Sequence, residues 1–326
     1  MFTRTVKRHT RKPIRSMPRQ RERRQMPAVS VEDALALWRQ SLPTLLSSRG
    51  RPLSPRSIEL YELTARQYAR ACPVTALSAL RREHIEAWLS EQRIRGAAPA
   101  SISVRQSIMT AWLSWCVERG LLSRSPAVGI RRLRWQERAV TTFTDDEVKR
   151  LLKSCDQRTW LGSRNHAFVS VLARTGVRAS EACHLEVHHY DPQAATLLIL
   201  HGKGGTSRSV GVPQDTAASL GSWLLLWQPD GPLFPSERGE RLTVNGLQSM
   251  LRALSRRSGV ADVHCHRFRH HFAVSFLRAG GDVWTLSRLL GHADIGTTQK
   301  YLRAWTSEDT VQAQLRIMRG PGYRAP

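Results

Sequence analysis

From Ser30 onward the apolar residues recur at helical spacing. Val31, Ala34, Leu35, Trp38 and Leu42 share one face, and Ser30 is placed to cap that helix with acids in its first turn. The same period predicts helices over about Pro55 to Ala71, His84 to Gln92 and Ala100 to Arg119, the last with Ile108, Trp112, Trp115 and Cys116 on one side. Residues 28–125 thus read as a small all-helical domain. Its tryptophans fall on the apolar stripes and are assigned to the core rather than to base stacking.

Ser125-Pro126 breaks the pattern, and a basic stretch with Arg131, Arg132, Arg134 and Arg138 follows, so 126–143 is expected to be a linker. Thr144-Asp145-Asp146-Glu147 is a capping-box pattern ahead of Val148 and Leu151, and opens a second domain over 144–306. That domain mixes helices with one β-hairpin: Thr196 to Leu200 is β-rich, Gly202-Lys203-Gly204-Gly205 turns, and Ser209 to Val212 returns. Helical patterns follow near Asp215 to Trp227, Thr243 to Ser258, Arg267 to Arg278, Val283 to Leu290 and Thr297 to Ala304. The tail, 307–326, carries a weakly amphipathic stretch with Val311, Leu315 and Ile317 that Gly320-Pro321-Gly322 ends. The fold class is mainly α with a small β-sheet or hairpin, and no long internal repeat interrupts it.

Composition sharpens this picture. The 326 residues include 50 Lys and Arg against 26 Asp and Glu, a formal net charge of +24 that favours a polyanionic partner. Residues 1–27 hold ten of the Lys and Arg with one acid, Glu22, and read as a flexible arm, either lying along phosphates or simply solvated. No apolar run approaches the ~20 residues that span a bilayer, and no secretory pattern opens the chain, so a cytoplasmic protein without a membrane partner is expected. Five scattered cysteines without a CxxC pair suggest reduced thiols. The close alternation of His264, Cys265 and His266 does not suit one tetrahedral metal ion.

Four segments stand out together: Thr175-Gly176-Val177-Arg178-Ala179-Ser180-Glu181, His201-Gly202-Lys203-Gly204, His266-Arg267-Phe268-Arg269-His270, and Leu289-Leu290-Gly291-His292 followed nine residues later by Tyr301. In order and spacing they resemble the phage integrase, or tyrosine recombinase, family over about Thr144 to Ala304. The helical region ahead of them is similar to that family's core-binding domain in size and placement. The resemblance implies a C-shaped, two-domain clamp on double-stranded DNA with paired recombination sites. It also implies a homotetramer exchanging strands through a Holliday junction, and a tail that docks on a neighbouring protomer or packs locally.

By the same resemblance, Arg178, Lys203, His266, Arg269 and His292 surround the scissile phosphate while Tyr301 attacks it, with no metal or nucleotide cofactor. Physical chemistry fits these roles. Planar guanidiniums at Arg178 and Arg269 suit the non-bridging oxygens. A phenol of pKa about 10 needs a proton acceptor, here His266, while His292 would donate a hydrogen bond to the phosphate. Lys203 would protonate the leaving 5′ oxygen, Glu181 would support Arg178, and His270 and His271 would serve packing. A DNA-binding protein of the same fold without strand cleavage, and a type IB topoisomerase, are the alternative readings. Integration, excision and resolution remain equally open.

Overall fold

The computed structural model describes residues 29–47, 50–131, 141–200, 207–226, 228, 231–292, 294–304 and 306–319, without the side chains of 303, 304, 307, 316 and 317. The basic arm, linker residues 132–140 and the hairpin tip carrying Lys203 lie outside the described residues. The chain divides between residues 137 and 138 into two compact units.

The first unit is built from α1 (Val31–Ser41), α2 (Pro55–Ala71), α3 (Arg82–Ile94) and α4 (Pro99–Glu118). The Ser30 hydroxyl accepts from the Asp33 N–H at 3.0 Å and caps α1, and Ser54 with Pro55 starts α2 in the same way. Trp38, Trp88, Trp112 and Trp115 all lie in the core, where Tyr68 meets Trp88 edge to face. The first residues of the expected linker are part of this unit, since Ala127 and Ile130 pack on its core.

The first helix of the second unit opens at a capping box. The Glu147 N–H donates to the Thr144 hydroxyl, and the Thr144 N–H donates to the Glu147 carboxylate at 2.9 Å, starting α5 (Asp145–Lys153). Just ahead of it, Phe143 is buried in the core against Phe268. The central element is α6 (Trp160–Thr175), which no amphipathic period had marked. Buried residues occur all around it, including Ala167, Phe168, Val169, Val171 and Leu172, and a helix enclosed on every side shows no polar face to read.

After the short α7 (Ala179–Cys183), three antiparallel strands follow in the order β1 (Tyr190–Asp191), β2 (Thr196–Ile199), β3 (Arg208–Gly211). Leu197 pairs with Val210, and both are buried with Ile199. The hairpin was legible; β1, two residues long, was not.

Helices α8 (Gln214–Leu226), α9 (Val244–Ser258), α10 (Cys265–Arg278) and α11 (Val283–Leu290) complete the core. His264 caps α10, its Nδ1 accepting from the Arg267 N–H. The segment expected as one helix over Thr297 to Ala304 is instead a single turn, α12 (Gly296–Gln299), followed by a 3-10 turn, Lys300–Ala304. The tail forms α13 (Ser307–Arg319), tied back by a 2.9 Å ion pair between Arg278 and Asp309. The five cysteines are free. Among the described residues no helix is long and apolar enough to cross a membrane.

Thr144→Ala removes the acceptor for one N-terminal amide of α5 and is expected to cost about 1 kcal/mol. A lower urea midpoint with an unchanged slope would show it; an unchanged midpoint would contradict the capping assignment.

Candidate active site

The site is organised around the carboxyl end of α11. Gly291 adopts a left-handed conformation there (φ 63°) and stops the helix, leaving its last carbonyls for partners from elsewhere. Three arginines take consecutive carbonyls. Arg208 from β3 donates through Nε to Leu289 O, Arg269 from α10 donates through Nη2 to Leu290 O at 2.7 Å, and Arg178 at the start of α7 donates through Nη2 to Gly291 O at 2.9 Å. The negative end of a helix dipole is a favourable place for cations.

Arg269 has a second anchor, since its Nη1 donates to Gly176 O, the left-handed residue (φ 61°) that ends α6. A Cβ at Gly176 would lie 2.4 Å from the Phe272 ring, so both the backbone conformation and the close approach demand glycine. Arg269 is 3% exposed, and burial together with the charge of Arg178 lowers its pKa to about 10, which keeps it cationic at neutral pH.

Glu181 supplies the counter-charge. Its Oε1 accepts from Arg178 Nη1 at 2.8 Å and from Arg208 Nη1 at 3.1 Å, while Oε2 accepts from the Arg178 backbone N–H at 2.9 Å and from Arg208 Nη2 at 2.8 Å. Burial alone would raise its pKa. The hydrogen bonds and charges of Arg208 and Arg178 outweigh burial and bring it down to about 2, so the carboxylate stays ionised. Of this set Arg178 is the most accessible, with 37% of its side chain exposed.

Tyr301 sits on the 3-10 turn, 1% exposed, its phenolic oxygen enclosed without a well-formed hydrogen bond. Burial raises its pKa, and the positive charges of Arg269 and Arg178 oppose that rise. The His292 ring lies nearly parallel to the phenol, with centroids 6.4 Å apart, and Lys300 Nζ stands 5.1 Å from the phenol centroid. His270 contacts two rings edge-on, His266 at 4.3 Å and Tyr301 at 5.4 Å.

His292 Nε2 lies 2.9 Å from Arg269 Nη2 and Nδ1 lies 2.7 Å from the buried Thr298 hydroxyl. A guanidinium only donates, so Nε2 accepts and the proton of the neutral ring sits on Nδ1. Burial and the nearby Arg269 and Arg178 charges lower the His292 pKa to about 4, in keeping with that tautomer. His266 reaches solvent, yet its ring is partly enclosed, and that enclosure together with its cationic neighbours Lys300 and Arg269 lowers its pKa as well.

Arg178, Glu181, Arg269, His292 and Tyr301 therefore converge, with His266 joined to them through His270. His271 lies apart, its Nδ1 bonded to Phe143 O. Lys203 is outside the described residues. The sequence reading missed Arg208 and Thr298. Arg208 carried a signal: it lies two residues before the inward-facing Val210, so strand alternation turns it inward as well.

The architecture and this site define a mainly helical unit with a small antiparallel sheet and a cluster of arginines suited to an anion. In structural comparison the chain matches the Tn1549 transposon integrase in complex with a circular intermediate DNA (TM-score 0.72, 15% identity, covering 89% of this chain and 100% of that one). It also matches a lambda integrase dimer bound to a COC′ core site (TM-score 0.69, 17% identity, covering 84% and 77%). The model of the phage integrase family matches residues 141–308. Tyrosine recombinase XerC of Proteus mirabilis is 30% identical over 282 residues, 84% of this chain and 91% of that protein, and XerC of Xylella fastidiosa (strain M23) is 32% identical over 226 residues, 68% and 76%. The chain belongs to the phage integrase family and is a site-specific tyrosine recombinase.

The neutral histidines make the site acid-sensitive. An unfolded imidazole titrates near pH 6.5, whereas in the folded protein His292 is held at about 4 and His270 at about 3, burial being the main cause for both. Between those limits the unfolded chain binds more protons, so stability falls as the pH drops from about 6.5 toward 4. Thermal melts should give a lower Tm at about pH 5 than at about pH 7, with a smaller drop in His270→Asn. Equal melting temperatures in the unsubstituted protein would contradict neutral, buried imidazoles.

Proposed function

We propose that Tyr301 attacks the scissile phosphodiester of duplex DNA, forming a 3′-phosphotyrosine and releasing the 5′ oxygen. The observation that carries this reading is the convergence of Arg178, Arg269 and His292 around the Tyr301 phenol. Arg178 and Arg269 bind the non-bridging oxygens and neutralise the charge that builds on them. The phenol proton passes to His266, and the leaving oxygen takes its proton from Lys203. The phosphotyrosine conserves the phosphoester bond, so attack by the 5′ hydroxyl of another strand restores a phosphodiester and regenerates Tyr301.

Two features of the site bear on how this begins. The phenolic oxygen is enclosed, so attack calls for the turn Lys300–Ala304 to open toward the phosphate. His292 Nε2 accepts from Arg269, so it becomes a donor to the phosphate only on gaining a proton, which an anion bound beside it favours.

We further propose that the first unit is the core-binding domain, that the basic arm adds phosphate contacts, and that four protomers act on two paired sites. Solved relatives support the last point, among them a lambda integrase tetramer bound to a Holliday junction.

On a nicked suicide substrate, the unsubstituted protein is expected to form a covalent adduct and Tyr301→Phe to bind without forming it. Arg178→Lys and Arg269→Lys should each slow cleavage by roughly 10²–10³-fold, the cost of losing a preorganised donor to developing negative charge. Adduct formation by Tyr301→Phe would overturn the reading. Lys203→Ala should regain cleavage when sulfur replaces the bridging 5′ oxygen, because a thiolate leaves without a proton; a defect equal on both substrates would remove Lys203 from the general-acid role.

A further inference from the structure

Arg208 opens β3 with its side chain only 10% exposed, and all three of its guanidinium nitrogens donate inward. Nε holds Leu289 O, the first of the three carbonyls at the end of α11, and the two Nη groups grip the Glu181 carboxylate fork to fork. Glu181 in turn touches Arg178 at both the backbone N–H and Nη1.

A carboxylate beside a guanidinium normally pairs with it through two parallel hydrogen bonds, the geometry in which guanidinium also takes a phosphate. Left to Arg178 alone, Glu181 would compete with DNA for the same N–H groups. Arg208 prevents this by fixing the plane of the carboxylate, which then reaches the Arg178 guanidinium through a single bond to Nη1. The second Arg178 tether, Nη2 to Gly291 O, belongs to the same carbonyl row that Arg208 helps to hold.

We propose that Arg208 is a positioning residue for strand cleavage: by immobilising Glu181 and the carboxyl end of α11, it keeps Arg178 turned toward the scissile phosphate. The assignment rests on the reading of Arg178 as a phosphate ligand. Arg208 itself is buried behind Glu181 and stabilises the cradle without contacting DNA.

The test compares adduct formation by the full chain on two nicked substrates, one with an ordinary phosphodiester and one with a methylphosphonate at the scissile position. The methylphosphonate carries no negative charge, so its attack depends far less on a correctly aimed guanidinium. Arg208→Met should cleave the phosphodiester about 10–100-fold more slowly, the usual loss when the partner that orients a site residue is removed. On the methylphosphonate that deficit should shrink by about tenfold or more, because the missing interaction is one with charge. Arg208→Lys, which keeps the charge but not the fork, should fall between the two proteins on the phosphodiester.

Equal losses on the two substrates, or an unchanged rate on the phosphodiester, would overturn the role of Arg208 alone. Absence of any adduct from the unsubstituted protein would overturn the catalytic reading and this assignment with it. If Arg208→Met does not fold, Arg208→Lys decides by the same ratio.

Discussion

Three like charges must be held within a few ångströms of one another, and the end of one short helix makes that possible. Arg178, Arg208 and Arg269 come from three different elements and would repel one another in the protein interior, where charge is poorly screened. The successive carbonyls of Leu289, Leu290 and Gly291 accept one hydrogen bond from each, and Glu181 places a single carboxylate between two of them. The cluster keeps a net positive charge, as a phosphate-binding site requires. The left-handed glycine at position 291 is what exposes those carbonyls, so the backbone chemistry of one residue governs the electrostatics of the whole site.

The rest of the second unit serves this arrangement. Helix α6 runs through the core and ends at Gly176, whose carbonyl is the other anchor of Arg269. Its packing fixes that end against α10, the helix that bears His266, Arg269 and His270. Burial, aided by the positive charges nearby, keeps the imidazoles neutral, and the phenol lies where the field of Arg269 and Arg178 partly offsets its own burial. Under the proposed mechanism, proton transfer and charge neutralisation would fall to different residues within one contact network.

Much of this was legible in the chain. Amphipathic spacing marked the helices of the first unit and most of those in the second, and the capping box at Thr144 located the start of α5 to the residue. What escaped detection did so for definite reasons. A helix buried on all sides lacks a polar face, which hid α6, and a two-residue strand has too few positions to show alternation, which hid β1. The candidate residues Arg178, Arg269, His292 and Tyr301 were visible through motifs whose order and spacing resemble those of the tyrosine recombinase family. Arg208 lies in no such motif; alternation along β3 turns it inward, but its partners come from where β3 meets α7 and α11, and tertiary contact of that kind is not written in local order. Thr298, whose hydroxyl accepts the Nδ1 proton of His292, was hidden for the same reason.

The account stands on one chemical event, esterification of the phenol at position 301 by a cleaved DNA strand. The direct measurement is mass spectrometry of the adduct trapped on a nicked substrate, after digestion with nuclease and trypsin. Trypsin cuts after Lys300, and the account predicts that the nucleotide mass is found on the peptide beginning at Tyr301. Finding that mass on Tyr61, Tyr68, Tyr190, Tyr323 or any serine, with the peptide at 301 unmodified, would contradict it.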